Sequence, residues 1–247
     1  MNSMDYNVEI NGLLVNAQYN QRTINEIFLP LLKDLTELYH KKRERILVML
    51  AAPPGAGKST LLSFLEYLSK NNPSLEEIQA IGMDGFHHYQ DYLLNHTIEL
   101  DGEVIPMVKI NGAPITFDLD KLRSRVKQIK EKPICKWPIY DRNLHNPIDN
   151  VITIDKNIVL LEGNYLLLNE DGWCDLSNYA DYTIFLSGDE DMLYNRLVER
   201  KARTVATLEE AKQFVEYSDM RNVRTVLNYS MPANLTLHIS ADGDYSS

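Results

Sequence analysis

The chain has 247 residues, of which 44% are hydrophobic, and its formal net charge at pH 7 is −10. This length suits one α/β domain with a small added lobe, and the acidic balance argues against a broad contact with a nucleic-acid backbone. No apolar run approaches the ~20 residues of a membrane span, and residues 1–5 lack the regions of a secretory signal. Because Cys135 and Cys174 also lack metal-ligand spacing, we expect a cytoplasmic protein with reduced thiols and no membrane partner.

Residues 1–43 predict a hairpin followed by a helix. The hairpin is expected within 6–20 around Asn11-Gly12, a favoured turn pair. Thr23 and Glu26 match a capping box, and apolar residues then recur at helical spacing from Ile24 onward. Pro30 should kink or divide that helix. Two roles remain open for residues 1–40, which could pack on a sheet edge or contact another subunit.

The rest of the chain alternates buried strands with helices. Apolar runs predict strands over 46–50, 78–83, 158–162, 182–186 and 235–239. Helical patterns cover 119–130, 189–202 and a segment from a second capping box, Thr207 with Glu210, to about 227. This alternation predicts a three-layer α/β/α fold of the P-loop type, with a mostly parallel five-stranded sheet. Ligands of such sheets bind beyond the carboxyl ends of the strands.

Two segments between these elements are expected to serve the site. Residues 85–118 are rich in glycine, proline and asparagine, and a loop-rich insert of this length predicts a small substrate lobe. Residues 196–207 carry a basic cluster across a helix end and its following loop. They predict a lid that closes over phosphates and excludes water.

A phosphate-binding loop is predicted between the first buried strand and the helix after it. Glycines allow backbone N–H groups to surround a phosphate, and the helix that follows directs its positive end at the same anion. Lys58 should reach the β- and γ-phosphates, while the Ser59 hydroxyl should hold Mg²⁺. The expected ATP contacts are Pro54, Gly55, Ala56, Gly57, Lys58, Ser59 and Thr60.

The first glycine of this loop motif is replaced by Ala52. A methyl group is tolerated at that position if φ is negative, so we expect a variant loop. The competing interpretation is a turn that merely contains glycines.

Two acids follow predicted strands. Asp84 ends the second strand, where a carboxylate could accept the proton of an attacking hydroxyl, hold Mg²⁺, or do both. Glu162 ends a run of apolar residues and is expected to act on Mg²⁺ directly or through water. An ordinary Asp-Gly turn and an ordinary strand-end acid are the competing structural interpretations.

Two further segments combine residues that suit a ligand pocket. Residues 137–147 bring aromatic and polar groups together, as pockets do, although a surface loop with a buried tryptophan would look similar. Arg196, Arg200, Lys201 and Arg203 form the basic cluster, which could instead be a solvated helix face. His87 could donate to a ligand, and histidines in turns often carry no function.

Four motifs together resemble the phosphoribulokinase/uridine kinase/bacterial pantothenate kinase family of P-loop kinases. They occur in the family's order between about residues 44 and 240, namely Pro-Pro-Gly-Ala-Gly-Lys-Ser-Thr, Met83-Asp84-Gly85-Phe86, Pro138-Ile139-Tyr140-Asp141 and Leu161-Glu162-Gly163-Asn164-Tyr165. The phrases around Asp84 and Glu162 are most similar to a bacterial group labelled nucleoside/nucleotide kinase or fructose transport kinase. Residues 111–118 resemble a segment of pantothenate kinases, in which Asn111 replaces a lysine and Ile115 replaces a glutamate.

The resemblance implies a role for each matching position. Asp84 corresponds to the catalytic base and Glu162 to a magnesium-linked glutamate. Tyr140 and His145 correspond to residues that contact the nucleoside in uridine kinases. Phe86 lies within a shared motif and is expected, with His87 and Arg142, among the substrate contacts. The resemblance also implies a dimer or tetramer, although no isolated apolar stripe demands a homodimer.

The sequence therefore predicts an ATP- and Mg²⁺-dependent kinase that phosphorylates a hydroxyl of a small metabolite. Asp84, Lys58, Arg196 and Arg200 are its expected catalytic residues, with Arg203 as a weaker candidate. Ser59, Asp84 and Glu162 are its expected metal site. The acceptor remains open among a nucleoside, a pantothenate-like alcohol and a sugar. The rival hypothesis is a nucleotide-gated regulatory ATPase without a small-molecule acceptor.

Overall fold

The computed structural model describes residues 3–10 and 13–247. The strands are β1 Ser3–Ile10, β2 Leu13–Asn20, β3 Ile46–Ala51, β4 Ile78–Gly82, β5 Thr97–Leu100, β6 Glu103–Pro106, β7 Cys135–Asp141, β8 Asn146–Ile154, β9 Ile158–Gly163, β10 Tyr182–Gly188, β11 Leu235–Ile239 and β12 Tyr245–Ser246. The α-helices are α1 Gln21–Thr23, α2 Leu29–Lys42, α3 Lys58–Lys70, α4 Gln90–Asn95, α5 Leu119–Glu131, α6 Glu190–Ala202, α7 Leu208–Phe214 and α8 Met220–Tyr229. Within these described ranges, no helix is both long enough and apolar enough to cross a membrane.

The central sheet has the order β12-β11-β10-β3-β9-β4. All neighbouring pairs are parallel except β11 with β12, which is antiparallel. The predicted parallel strands are therefore confirmed, and the sheet gains a sixth strand of two residues that the apolar pattern did not predict. The P-loop strand β3 lies near the middle of the sheet, with β9 between it and β4.

The two faces of the sheet support separate apolar cores. Along β3, Ile46, Val48 and Leu50 belong to one buried cluster, whereas Leu47, Met49 and Ala51 belong to the other. Strands that are buried on both faces read as continuous apolar runs, which is the pattern of β3 and β9. Helices α3 and α6 pack on the first face and α5 on the second. This arrangement confirms the three-layer α/β/α fold.

The N-terminal strands β1 and β2 form an antiparallel hairpin along α3. Tyr6 packs its ring against Phe64 and Tyr67, and its hydroxyl bonds to Ser63. Tyr19 stacks on Phe64 with ring centroids 3.9 Å apart. A two-stranded hairpin is marginal alone in water, so these contacts with the P-loop helix hold it in place. The predicted Asn11-Gly12 turn lies outside the described residues.

The helix that follows begins earlier than predicted. Asn20 caps α1, because its side chain accepts a hydrogen bond from the Arg22 backbone N–H. Thr23 lies inside the helix without a capping bond, and its hydroxyl instead bonds to Asp244, so the Thr23–Glu26 capping box was wrong. The predicted division at Pro30 is confirmed, since a π-helical turn over Ile24–Phe28 separates α1 from α2 just before it.

The later helices agree with their sequence patterns. Asp118 caps α5 through the Lys121 N–H, and Thr207 with Glu210 forms the predicted capping box of α7. A π-turn over Val215–Asp219 joins α7 to α8. Residues 85–118 begin within the 3₁₀ turn Met83–Phe86 and include α4, the β5–β6 hairpin and two further 3₁₀ turns, Met107–Ile110 and Pro114–Thr116. Neither cysteine is in a disulfide, and burial raises the pKa of the Cys135 thiol.

Asp181, immediately before β10, lies in an ionic cluster at the amino-terminal end of the sheet. Its side chain is 6% exposed, and its carboxylate accepts hydrogen bonds from Lys42 Nζ at 2.5 Å, Lys130 Nζ at 2.6 Å and the Leu47 N–H at 2.7 Å. Burial alone would raise the pKa of this carboxyl, but the donors lower it below its ordinary value. A depressed pKa means that the ionised form stabilises the fold, and that this contribution is lost as the pH falls through the folded-state pKa.

We expect Asp181→Asn to lower the free energy of unfolding at pH 7 by about 1.5–3 kcal/mol, the usual contribution of a hydrogen bond to a charged group. The difference from wild type should shrink in strong acid, where both carry an uncharged side chain. Urea unfolding at neutral and acidic pH measures both effects. Asp120→Asn is the matched control, since Asp120 pairs with Arg123 while its side chain is 95% exposed. Equal losses in the two variants would contradict the prediction.

Candidate active site

The phosphate-binding loop connects β3 to α3 as predicted. Gly55 and Gly57 have φ values of 85° and 82°, in the left-handed region that favours glycine. Gly57 precedes the first residue of α3, Lys58, so the helix begins with its free N–H groups facing the loop. Ala52 is not among the described non-glycine residues with positive φ, so its methyl group is tolerated.

A basic cavity of about 230 Å³ opens over this loop. Its lining combines the loop, two arginines of α6, one arginine of the β7–β8 turn and the end of the N-terminal hairpin: Ile10, Val15, Gly55, Gly57, Lys58, Ser59, Thr60, Arg142, Arg196 and Arg200. Helix α6 packs closely on the phosphate-binding loop. A Cβ added to Gly55 would lie 3.1 Å from Leu197 Cγ and 3.3 Å from the Leu193 carbonyl oxygen. A cavity with these cations suits a polyphosphate.

Half of the predicted basic cluster lines this cavity. Arg196 and Arg200 are four residues apart on α6 and therefore share a helix face. Lys201 instead lies 3.4 Å from the centre of the Phe214 ring, and Arg203 pairs with Glu199 at 2.9 Å. Arg203, the weaker candidate, is not among the described residues that line this cavity.

Glu162 lies near the carboxyl end of β9, between Leu50 of β3 and Gly82 of β4 in the strand register. It is 6% exposed, and the Ser59 hydroxyl donates to its Oε1 at 2.7 Å. Its other oxygen, Oε2, is buried without a partner. Burial raises the pKa of this carboxyl; Lys58 opposes the effect, whereas Asp84 adds to it.

These residues fit a divalent cation. An unpartnered buried carboxylate oxygen needs a positive partner, and a serine hydroxyl and a second carboxylate, Asp84, accompany it. In the described part of the chain, no three or more His, Cys, Asp or Glu side chains form a metal-binding group. Such a site would suit Mg²⁺, which usually takes one or two protein carboxylates and fills its shell with water and substrate phosphates.

We expect Glu162→Gln to raise the melting temperature of the metal-free protein at neutral pH. A raised pKa means that the folded state binds the proton more tightly than the unfolded state does. The contribution of this carboxyl to stability therefore falls as the pH rises from the pKa of the unfolded state through the pKa of the folded state. Glutamine removes that charge and keeps an oxygen for Ser59. Thermal melts in EDTA measure the effect, with the exposed Glu170→Gln as control. A lower melting temperature than wild type would contradict the prediction.

Asp84 lies in the 3₁₀ turn that follows β4. The Trp137 indole N–H donates to the Gly82 carbonyl at 2.7 Å. Any Cβ on Gly85 would lie 2.5 Å from the Pro138 carbonyl oxygen, so only glycine allows this approach of the turn to β7. The turn is therefore fixed against the β7–β8 hairpin.

Phe86 does not face a cavity. It has no exposed surface and packs edge-on against Trp137, with ring centroids 4.8 Å apart. The expectation that Phe86 contacts the substrate is corrected, because successive residues of a tight turn point in different directions. Asp84 faces the cavity and Phe86 faces the core.

A large cavity of about 730 Å³ adjoins the basic one. Lys58, Ser59, Arg142 and Arg200 line both cavities. The other residues that line the large cavity are Pro54, Asp84, His87, Asn111, Gly112, Phe117, Ile139, Tyr140, Asp141, Asn143, His145, Asn164, Thr204, Asp219 and Asn222. The structure thus brings together all the predicted substrate contacts except Phe86.

The β7–β8 turn has a local cause. Asp141 Oδ1 accepts hydrogen bonds from the N–H groups of Asn143 and Leu144, and His145 adopts a φ of 51°. Aspartate side chains favour such turns. The turn gives both Arg142 and His145 a place in the wall of the large cavity. The segment that suggested a surface loop is therefore the end of a strand pair.

Sequence reasoning missed several lining residues. Asn111 and Asn164 lie in motifs from which only other residues were assigned to the site. Their position beside those residues could have marked them as lining residues. Asp219 and Asn222 come from the distant C-terminal helix region, where only their spacing of three residues marks a shared face. Ile10 and Val15 show that the N-terminal hairpin reaches the site, in addition to packing on α3.

The fold and the site together define a P-loop kinase. The family described as the Phosphoribulokinase / Uridine kinase family matches residues 47–218, and the chain belongs to this family. It is 37% identical over 98% of both chains to the Escherichia coli protein "Uncharacterized protein YggC". It is 31% identical to the Schizosaccharomyces pombe protein "Putative uridine kinase C227.14", over 81% of this chain and 88% of that one.

The same relationship appears among solved structures. The structure titled "putative fructose transport system kinase" from Silicibacter sp. TM1040 has a TM-score of 0.73 and 28% sequence identity. The match covers 85% of this chain and 98% of that one. The resemblance that the motifs indicated is therefore confirmed at the level of family and fold.

Proposed function

We propose that the protein is an ATP-dependent kinase that transfers the γ-phosphate to a hydroxyl of a small metabolite. The observation that carries this proposal is the junction of the two cavities. Lys58, Ser59, Arg142 and Arg200 line both, and Asp84 lines the large one beside them. A triphosphate on the loop would therefore direct its terminal group toward a space with room for an acceptor and a carboxylate.

The residues divide the reaction between them. Lys58 and the loop N–H groups hold the triphosphate, and Arg196, Arg200 and Arg142 stabilise charge on the transferring group. The acceptor oxygen attacks the γ-phosphorus and its proton passes to the Asp84 carboxylate. The bond from the γ-phosphorus to the bridging oxygen breaks, which leaves ADP. Mg²⁺, held by Ser59, Glu162 and Asp84, would neutralise charge on the β- and γ-phosphates.

The remaining expected features fit this role. Residues 196–207 act as the lid, since α6 already packs on Gly55 and carries both lining arginines. Tyr140, His145, Arg142 and His87 line the acceptor space, and residues 85–118 supply part of its wall through Asn111, Gly112 and Phe117. Unpaired thiols and ATP use are consistent with a cytoplasmic enzyme.

The rival hypothesis, a regulatory ATPase, requires no acceptor space. The large cavity argues against it, because 730 Å³ lies within the usual range of small-molecule sites. The names of the relatives suggest acceptors ranging from uridine to fructose.

The test is ADP release by the purified protein with Mg²⁺ and ATP, across uridine, cytidine, adenosine, pantothenate, fructose, ribose and ribulose 5-phosphate. We expect at least one neutral member of this panel to accelerate ADP release and to yield a phosphorylated product by mass spectrometry. A slow rate that no compound changes, with tight ATP binding, would favour the regulatory ATPase.

A further inference from the structure

We infer that the acceptor is an uncharged, hydroxyl-rich molecule, held by a subsite that comprises Asn111, Asn164, Asp219 and Asn222. This inference rests on the proposed function and concerns residues that line the large cavity but are not among those that line the basic one. We call these four residues the amide subsite. None of them was among the residues that the motifs assigned to the substrate.

The first argument for an uncharged acceptor is the distribution of charged residues in the large cavity. The lysine and arginine residues that line the large cavity are Lys58, Arg142 and Arg200, and each also lines the basic cavity. Bound triphosphate would occupy them. Among the residues that the structure describes, the rest of the lining includes the carboxylates Asp84, Asp141 and Asp219 and no lysine or arginine. An anionic acceptor would therefore meet like charges there, without a further lysine or arginine partner among these described residues.

The amide side chains carry the second step. Asparagine offers two donors and an acceptor, which matches hydroxyl groups that both donate and accept. Asn222 is 6% exposed and approaches Gly112, where an added Cβ would lie 3.6 Å from its amide nitrogen. The Tyr165 hydroxyl holds Gly112 through its carbonyl oxygen at 2.5 Å. Asn164 Oδ1 is buried without a hydrogen-bond partner, as is His87 Nδ1.

Asp219 carries the third step. It closes the π-turn before α8, its side chain is 17% exposed, and it lies 3.9 Å from Arg200. Its carboxylate would accept hydrogen bonds from hydroxyl groups and repel a carboxylate or phosphate. Juxtaposed like charges in a site are unfavourable, so the site should discriminate against an anionic acceptor.

An apolar face completes the subsite. His87 stacks on Phe117 with centroids 3.9 Å apart, and Tyr140 lies 5.1 Å from His87. Such rings suit the C–H face of a sugar or the plane of a base. The wall therefore combines ring faces with neutral hydrogen-bonding groups, as a pocket for a polyol or nucleoside does.

The test compares acceptors that differ only in charge. Each carboxylate is paired with its own amide: pantothenate with pantothenamide, gluconate with gluconamide, and orotidine with its carboxamide. All hydroxyl groups are kept within a pair. Purified protein with ATP and Mg²⁺ is assayed by mass spectrometry for phosphorylated product. We expect the amide of any accepted pair to have a kcat/KM about 10–100 times higher than its carboxylate.

Three results are distinguishable. A preference for the amide supports the inference. Equal or better use of the carboxylate, with product formed, would overturn the inference and leave the kinase intact. No product from either member of any pair, although ATP binds, would overturn the inference; if neutral sugars and nucleosides also give no product, the proposed function is overturned with it.

A variant isolates the role of Asp219. Asp219→Asn should raise the relative use of the carboxylate about tenfold, because one repulsive charge is removed. Asp171→Asn, at an exposed position, is the control, and both variants are checked by thermal melting. A well-folded Asp219→Asn protein with an unchanged carboxylate-to-amide ratio would remove Asp219 from the subsite.

Discussion

Asp84→Asn is expected to bind ATP as wild type does and to turn over about 10²–10⁴ times more slowly, the usual contribution of a general base. The reason is geometric, since Asp84 lines the acceptor cavity and lies outside the set of residues that line the basic cavity. Asparagine keeps the size and a hydrogen-bonding oxygen but cannot take the proton of the attacking hydroxyl. Nucleotide titration and steady-state kinetics measure the two effects separately.

The matched control for this variant is Asp91→Asn, because Asp91 is exposed on the neighbouring helix α4. It should change neither quantity. Unchanged turnover in Asp84→Asn would remove Asp84 from the role of base. A loss of ATP binding in the same variant would instead show that its main task is to hold the metal–nucleotide complex.

Lys58→Ala is expected to lose nucleotide affinity and activity together. A hydrogen bond to a charged group contributes about 1.5–3 kcal/mol, so the Kd for ATP should rise about 10–100-fold. The loss extends to the metal site, because Lys58 opposes the rise in the pKa of Glu162 that burial causes. Without the lysine, that carboxyl would be ionised less readily and would hold Mg²⁺ less well.

Calorimetric titration with a non-hydrolysable ATP analogue measures this affinity. Lys33→Ala, at an exposed position on α2, is the control for removal of one surface lysine. If Lys58→Ala binds the analogue as tightly as wild type, then this loop does not hold the triphosphate.

The phosphate-binding loop was predictable because its signals are local. Its glycines must adopt positive φ, and the strand before it and the helix after it have periodicities that can be read within a short window. Glu162 and Asp84 were predictable for a related reason, since parallel strands deliver their carboxyl ends to one edge of the sheet. Ala52 is tolerated in the first glycine position of the motif because its backbone does not adopt a positive φ.

What could not be predicted depends on distant contacts. Thr23 lies in a capping-box pattern, but Asn20 is the residue that caps the helix. The Thr23 hydroxyl instead donates to Asp244, more than 200 positions away in the chain. Phe86 stood in a functional motif, and only the packing of Trp137 revealed that its ring belongs to the core.

The amide subsite is assembled in the same long-range way. Asp219 and Asn222 reach it from the C-terminal helices, and the hairpin residues Ile10 and Val15 reach the basic cavity from the opposite end of the chain. No local pattern records such juxtapositions. The class of acceptor can therefore be inferred only from the lining of the folded cavity, whereas the motifs already predicted a kinase.

The measurement that tests the central claim most directly follows the γ-phosphate itself. ATP with heavy oxygen in its γ-phosphate is incubated with the protein, Mg²⁺ and a panel of neutral polyols and nucleosides, and the products are separated by mass spectrometry. The account predicts the heavy phosphoryl group on a hydroxyl of an acceptor. Label that appears only in inorganic phosphate, at a rate independent of every acceptor, would contradict it.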